Sequence, residues 1–159
     1  LALRAQVEAE KADYPVRAGA FHLVATTAEL GKITPGLARS CDALFVDSLE
    51  GITDDAGAAL NYRQVMTLLR AQFPGPILAG NRYQVEQGAW AAVIKTGQEQ
   101  GDTSARMLLE AMRGKPVSEL AVARNVRGQR IINVTALEAK GVALRPMDLR
   151  GVNLVREQP

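Results

Sequence analysis

Two residue types that dominate catalytic and metal chemistry occur once each in this chain: Cys41 and His22. A lone cysteine excludes an intrachain disulfide. One Cys and one His cannot build a Cys/His zinc site, which needs about four ligands. A Cys–His nucleophile pair would have to use the sole copy of each. Aromatic residues are scarce at 4%, with a single Trp90. A surplus of charge is missing too: 19 basic against 17 acidic residues leave +2. Because Lys and Arg are scattered, no clustered basic face for nucleic acid is expected. No apolar stretch approaches the ~20 residues of a membrane helix. The longest clean run, Ala89 to Ile94, stops at Lys95. No signal-peptide pattern is visible.

The phosphate and nucleophile motifs are also absent. There is no GxxxxGK[ST], no GxGxxG behind a strand and no GxSxG elbow. A receiver-type metal site would want an acidic pair at the first strand, and residues 18–25 hold no acid. These absences leave no positive case for an enzyme, a cofactor or a metal. His22 reads as a partly buried side chain in an apolar strand, Cys41 as a small core residue, and Trp90 as packing.

What remains is an ordinary globular composition, 47% apolar and 23% charged over 159 residues, which suits one domain. Helix signals alternate with short apolar runs. Residues 1–13 read as a helix ended by Tyr14-Pro15, and residues 16–25 as a strand. Thr26 and Glu29 have capping-box spacing, with Pro35-Gly36 dividing the helix that follows. Residues 43–46 form a buried strand pattern. Thr53-Asp54-Asp55 is expected to open a helix running to Phe73, with Ala58, Tyr62, Val65, Leu69 and Phe73 as its core stripe. Strands follow at 77–79 and 89–94, with a loop at 80–82 and a helical turn at 85–88. A second capping box, Thr96 to Glu99, starts a helix to about Arg113 that should bury Ala105, Leu108, Leu109 and Met112. A strand at 130–133, a third box at Thr135–Glu138 with a helix ending at Gly141, and a strand at 152–155 complete the pattern. Helices between short buried strands predict an α/β fold: a doubly wound, mostly parallel sheet with helices on both faces.

In open α/β sheets, ligands sit beyond the carboxyl ends of the strands. That rule selects the loop Asp47-Ser48-Leu49-Glu50-Gly51, the loop Gly80-Asn81-Arg82 and the helix start at Thr96-Gly97-Gln98. Asp47, Ser48, Asn81 and Gln98 are the candidate polar contacts, and Arg82 the candidate partner for a carboxylate or anion.

Five segments, in order, resemble the ABC transporter substrate-binding family with the periplasmic-binding-protein type I fold: CDALFVDSLEGI, GPILAGN, QGAWAAV, QEQGDTSARMLLEAMRGKPVSELAV and INVTALEAKGVAL. The resemblance spans residues 37–150. It implies two α/β lobes hinged about a cleft that clamps a small molecule, read out by a membrane permease or a fused signalling domain. It implies a periplasmic or otherwise extracytoplasmic place in a bacterium. Residues 1–159 then correspond to one lobe, with the N-terminal lobe and the first strand of this lobe outside the chain. An uncovered inter-lobe face makes a homodimer a further expectation. The family loop after the second strand commonly carries Thr, Asp and Asn, whereas Ser48, Leu49 and Glu50 stand here. The family's aromatic pair at the later helix start is replaced by Gly97 and Gln98. The alternatives are the effector-binding domain of a transcription regulator, which shares the fold, and a degenerate lobe kept for protein–protein contact.

Overall fold

The computed structural model describes residues 2–123 and 126–157. Its elements, in order, are α1 (Ala2–Glu10), α2 (Thr27–Ser40), β1 (Leu44–Val46), α3 (Tyr62–Gln72), β2 (Ile77–Ala79), α4 (Arg82–Glu86), β3 (Ala91–Ile94), α5 (Gly97–Met112), β4 (Gln129–Asn133), α6 (Val134–Glu138) and β5 (Val152–Val155). One five-stranded sheet runs in the order β1-β2-β3-β4-β5. The first three strands are parallel, β4 is antiparallel to β3, and β5 is parallel to β4. The expected mostly parallel α/β sheet is therefore present.

Strand register explains where the core sits. Val46, Ala79, Ala92 and Ile131 stand side by side on one face, and all are buried. Leu30 of α2, Val65, Met66 and Leu69 of α3, and Val85 of α4 close over them. The alternate positions point to the other face, as a period of two requires. There Phe45 and Val93 are 60% and 65% exposed, and Leu78 and Leu154 are also exposed. The core is one-sided among the described residues.

The Thr26 cap forms as its spacing predicts: the hydroxyl accepts from the Glu29 N–H at 3.1 Å, and Glu29 reaches back to the Ala25 N–H at 2.8 Å. Pro35 does not divide the helix behind it; α2 is continuous from 27 to 40. Proline removes one backbone donor there. The Thr34 hydroxyl donates to the Leu30 carbonyl at 2.7 Å in the same turn.

Residues 16–25 form no strand. Val16 and Leu23 are exposed, and Val24 alone of the three packs on the core. At its end, the segment is joined to the rest by a bridge between Thr26 and Thr53 and a bond from the Thr53 N–H to the Ala25 carbonyl. The helix expected from Thr53 begins nine residues later, at Tyr62. The Asp54 carboxylate accepts from the Ala56 and Ala58 N–H groups at 2.9 and 2.8 Å, and Gly57 takes φ +83°, so its acids build a turn instead of a helix start. The true cap is Asn61, in a reciprocal box with Gln64. Val65, Leu69 and Phe73 are buried as the stripe predicts, Tyr62 is half-buried, and Ala58 lies outside the helix and exposed.

The α5 stripe is reversed. Ala105, Leu108, Leu109 and Met112 are all exposed, Met112 at 74%. The residue of α5 that is buried is Glu99. The α6 cap is Asn133, two residues before the expected Thr135, and the helix stops at Glu138 with a turn running on to Gly141 at φ +68°.

Glu99 ties the start of α5 to the segment before β4. Its carboxylate accepts from the backbone N–H groups of Val126, Arg127 and Gly128 at 2.7, 2.9 and 3.0 Å. Those bonds, the Arg127 one first, hold its pKa below the ordinary value of 4.5. A carboxyl depressed in the folded state stabilises the fold above the unfolded value, and that stabilisation is lost as pH falls through the folded value. Glu99→Gln should lower Tm by several degrees at pH 7 and show a shallower fall in Tm from pH 5 to pH 3 than the parent. Parallel Tm–pH curves for the two proteins would refute this role for Glu99.

Candidate functional site

Three parallel strands direct their carboxyl ends to one edge of the sheet. Val46, Ala79 and Ile94 are the last residues of β1, β2 and β3, and the chain leaves each into a polar segment. That edge gathers the loop after β1, the start of α4 and the start of α5. All five candidates from the sequence fall on it: Asp47 and Ser48 after β1, Asn81 and Arg82 at α4, and Gln98 in the first turn of α5. All five are exposed.

The first two loops are joined by direct bonds. The Asp47 carbonyl accepts from Asn81 Nδ2 at 3.1 Å and from Gln84 Nε2 at 2.9 Å. Gln84 is fully buried, and its Oε1 accepts from the Asn81 N–H at 3.0 Å. The Gly80 N–H donates to the Val46 carbonyl at 3.0 Å, which continues the ladder into the loop. The position leaves little room: a Cβ at Gly80 would stand 3.1 Å from Asp47 Oδ1. Backbone and amide groups thus fix the spacing of the two loops and leave the Asp47 carboxylate turned to solvent.

The other candidates are engaged locally. Ser48 Oγ accepts from the Glu50 N–H at 3.3 Å, a short polar turn. Arg82 pairs with Glu86 one helical turn on, at 3.2 Å, with both side chains about half exposed. Such a surface pair stabilises by about 0–1 kcal/mol, so a strong anion could still draw Arg82 away. Strand direction brings Gln98 to the edge, at the start of the helix behind β3.

Sequence reasoning missed the residues that give this edge its chemical character. Tyr62 and Tyr83 meet with ring centroids 4.5 Å apart at 36°. The Tyr62 hydroxyl donates to Glu50 Oε1 at 2.6 Å. That bond first, then burial and the Glu50 charge, raise the Tyr62 pKa. Burial first, then the charges of Glu50 and Asp47, raise that of Tyr83. A signal for the pair exists in the sequence. Asn-x-x-Gln occurs at 61–64 and again at 81–84, and each delivers a tyrosine within two residues of a helix cap. Tyr62 is also a member of the α3 stripe, and its core contact hides the hydroxyl's second role.

The residues expected to pack lie elsewhere. Trp90 is half-buried and lines a cavity of about 280 Å³ with Arg70, Phe73 and Lys140. This cavity opens beside the start of β2, at the edge of the sheet opposite the two loops. His22 is exposed, not partly buried, because the segment carrying it forms no strand. Cys41 is half-buried, with its sulfur 3.7 Å from Ser40 Oγ. Among the described residues no group of His, Cys, Asp and Glu is placed to hold a metal ion. No described helix is long and apolar enough to cross a membrane.

Comparison with known proteins matches residues 38–147 to the family described as ABC transporter substrate binding protein. No curated protein matches. Among solved structures, the ABC domain from Streptococcus pneumonia in complex with L-Trp aligns at TM-score 0.65 and 18% identity, covering 96% of this chain and 50% of that one. A conserved domain protein from Vibrio cholerae aligns at 0.60 and 19%, covering 98% and 50%. CD0873, a substrate binding protein with adhesive properties from Clostridium difficile, aligns in its ligand-free, open structure at 0.66 and 20%, covering 99% and 50%. The chain spans about half the length of each of these structures.

Proposed function

The chain belongs to the ABC transporter substrate-binding protein family, a binding family and not an enzyme family, and we propose that it serves as one lobe of a two-lobed protein that clamps a small molecule. The ligand face is the strand edge carrying Asp47, Ser48, Asn81, Arg82 and Gln98. The observation that carries this reading is the bonded union of the loops after β1 and β2, in which Asn81 and the buried Gln84 both hold the Asp47 carbonyl. Two loops so joined form a rigid floor at the position where open α/β sheets bind ligands.

A second lobe supplies the roof. Closure then follows from the ligand's better fit to the closed arrangement, which shifts an open–closed population. The exposed Leu108, Leu109 and Met112 of α5 and the uncovered sheet face with Phe45 and Val93 support a chain that packs against further polypeptide. The remaining partner in this reading is a membrane permease or a fused signalling domain, and the setting is extracytoplasmic.

The test is a screen of amino acids, sugars and nucleobases against the isotopically labelled chain. Backbone amide shifts at residues 47–50 and 80–84 in response to at least one compound are expected. Shifts confined to the cavity between Trp90 and Lys140 would overturn the assignment of the ligand face.

A further inference from the structure

The first loop of this face, residues 47–51, carries two acids and no base. Asp47 and Glu50 are both exposed, and among the described residues neither has a cationic partner. Glu50 is held by the Tyr62 hydroxyl at 2.6 Å, a neutral donor that orients the carboxylate without cancelling its charge. Tyr62 and Tyr83 meet beside it with their rings tilted by 36°. Asp47 stands on the same edge, with its carbonyl held by Asn81 and Gln84 at the start of the helix that carries Tyr83. Arg82, on the second loop, is paired with Glu86.

We infer that the ligand is an organic cation, an amine or guanidine protonated at neutral pH, and that it enters without a carboxylate of its own at that end. An ammonium group would donate to the carboxylates of Asp47 and Glu50 while its carbon skeleton lies on the tyrosine rings. Charge-assisted hydrogen bonds and cation–aromatic attraction act together in that arrangement. An acid of the same skeleton meets two like charges, Asp47 and Glu50. The specificity therefore departs from recognition of a zwitterion, and it comes from Glu50 and Tyr83 as much as from Asp47. This inference rests on the proposed function, because it takes the strand edge as the ligand face.

Tyramine, tryptamine and agmatine, each set against an acid of matching skeleton, form the probe series. Binding to the labelled chain is followed through the amides of residues 47–50, 62 and 83. The amines should bind about tenfold or more tightly than their acids. Asp47→Asn and Glu50→Gln should each weaken amine binding by about tenfold. Both side chains are exposed, so melting curves should stay close to the parent's. Acids binding at the same amides as well as the amines do would overturn the inference and leave the ligand face standing. The inference also fails, with the ligand face intact, if sugars or nucleobases move those amides and no amine does. If no compound of any class moves them, the ligand face falls and the inference with it.

Discussion

Asn133→Leu should cost about 3 kcal/mol of stability. Asn133 is fully buried at the junction of β4 and α6. Its Nδ2 donates to the Val85 carbonyl at 2.6 Å, and its Oδ1 accepts from the Ala136 N–H at 2.9 Å as the cap of α6. Its own N–H donates to the Trp90 carbonyl. Leucine is close in volume, so no cavity opens, but two buried backbone groups lose their partners. An orphaned buried donor or acceptor costs about 1–3 kcal/mol, and loss of a cap about 1 kcal/mol. For a chain of this size the expected fall in Tm is about 6–12 °C. Asn133→Ser retains a cap oxygen and should fall between the parent and the leucine variant. Urea denaturation measures all three, and a loss below about 1 kcal/mol for the leucine variant would show that these bonds do not hold α6 to the sheet.

Gln84→Leu should have the second effect, and it falls on the ligand face. The buried amide bonds one loop through Nε2 and the other through Oε1. Leucine leaves the Asn81 N–H without its partner and the Asp47 carbonyl with Asn81 alone. The expected cost is about 2 kcal/mol. Hydrogen exchange at residues 47–50 and 80–84 should rise while exchange in α2 and α3 changes little. Gln84→Glu keeps the acceptor for Asn81 but loses the donor to Asp47 and adds a buried charge, so it should destabilise more than leucine does. Unchanged exchange in both loops would mean that the two are held by the strands and not by Gln84.

The architecture is legible in the sequence wherever a local signal and the tertiary context agree. The apolar runs at 44–46 and 77–79 are adjacent parallel strands, and the caps at Thr26 and Thr96 stand at the residues their spacing marks. Where local and tertiary forces compete, the sequence misleads. Asp54 and Asp55 look like a helix start, yet Asp54 satisfies its own turn, and the helix waits for Asn61. Residues 16–25 have strand composition, but no ladder accepts them. Leu108 and Met112 follow a helical period and nonetheless face outward, because periodicity says which residues share a face and not what covers it. The candidate ligand face follows from the strand-edge rule, which needs only strand direction. The tyrosine pair escapes that rule because residues 62 and 83 come together only when β1 and β2 align α3 beside α4.

The proposed ligand face is open to a direct measurement: hydrogen exchange on the chain with and without a bound small molecule. Protection is expected in two separate peptides, one covering residues 47–51 and one covering 80–84, with the amine probes giving the stronger effect. Protection confined to residues 67–77 and 136–140, which line the cavity at the opposite edge of the sheet, would place the ligand there and contradict the strand-edge assignment.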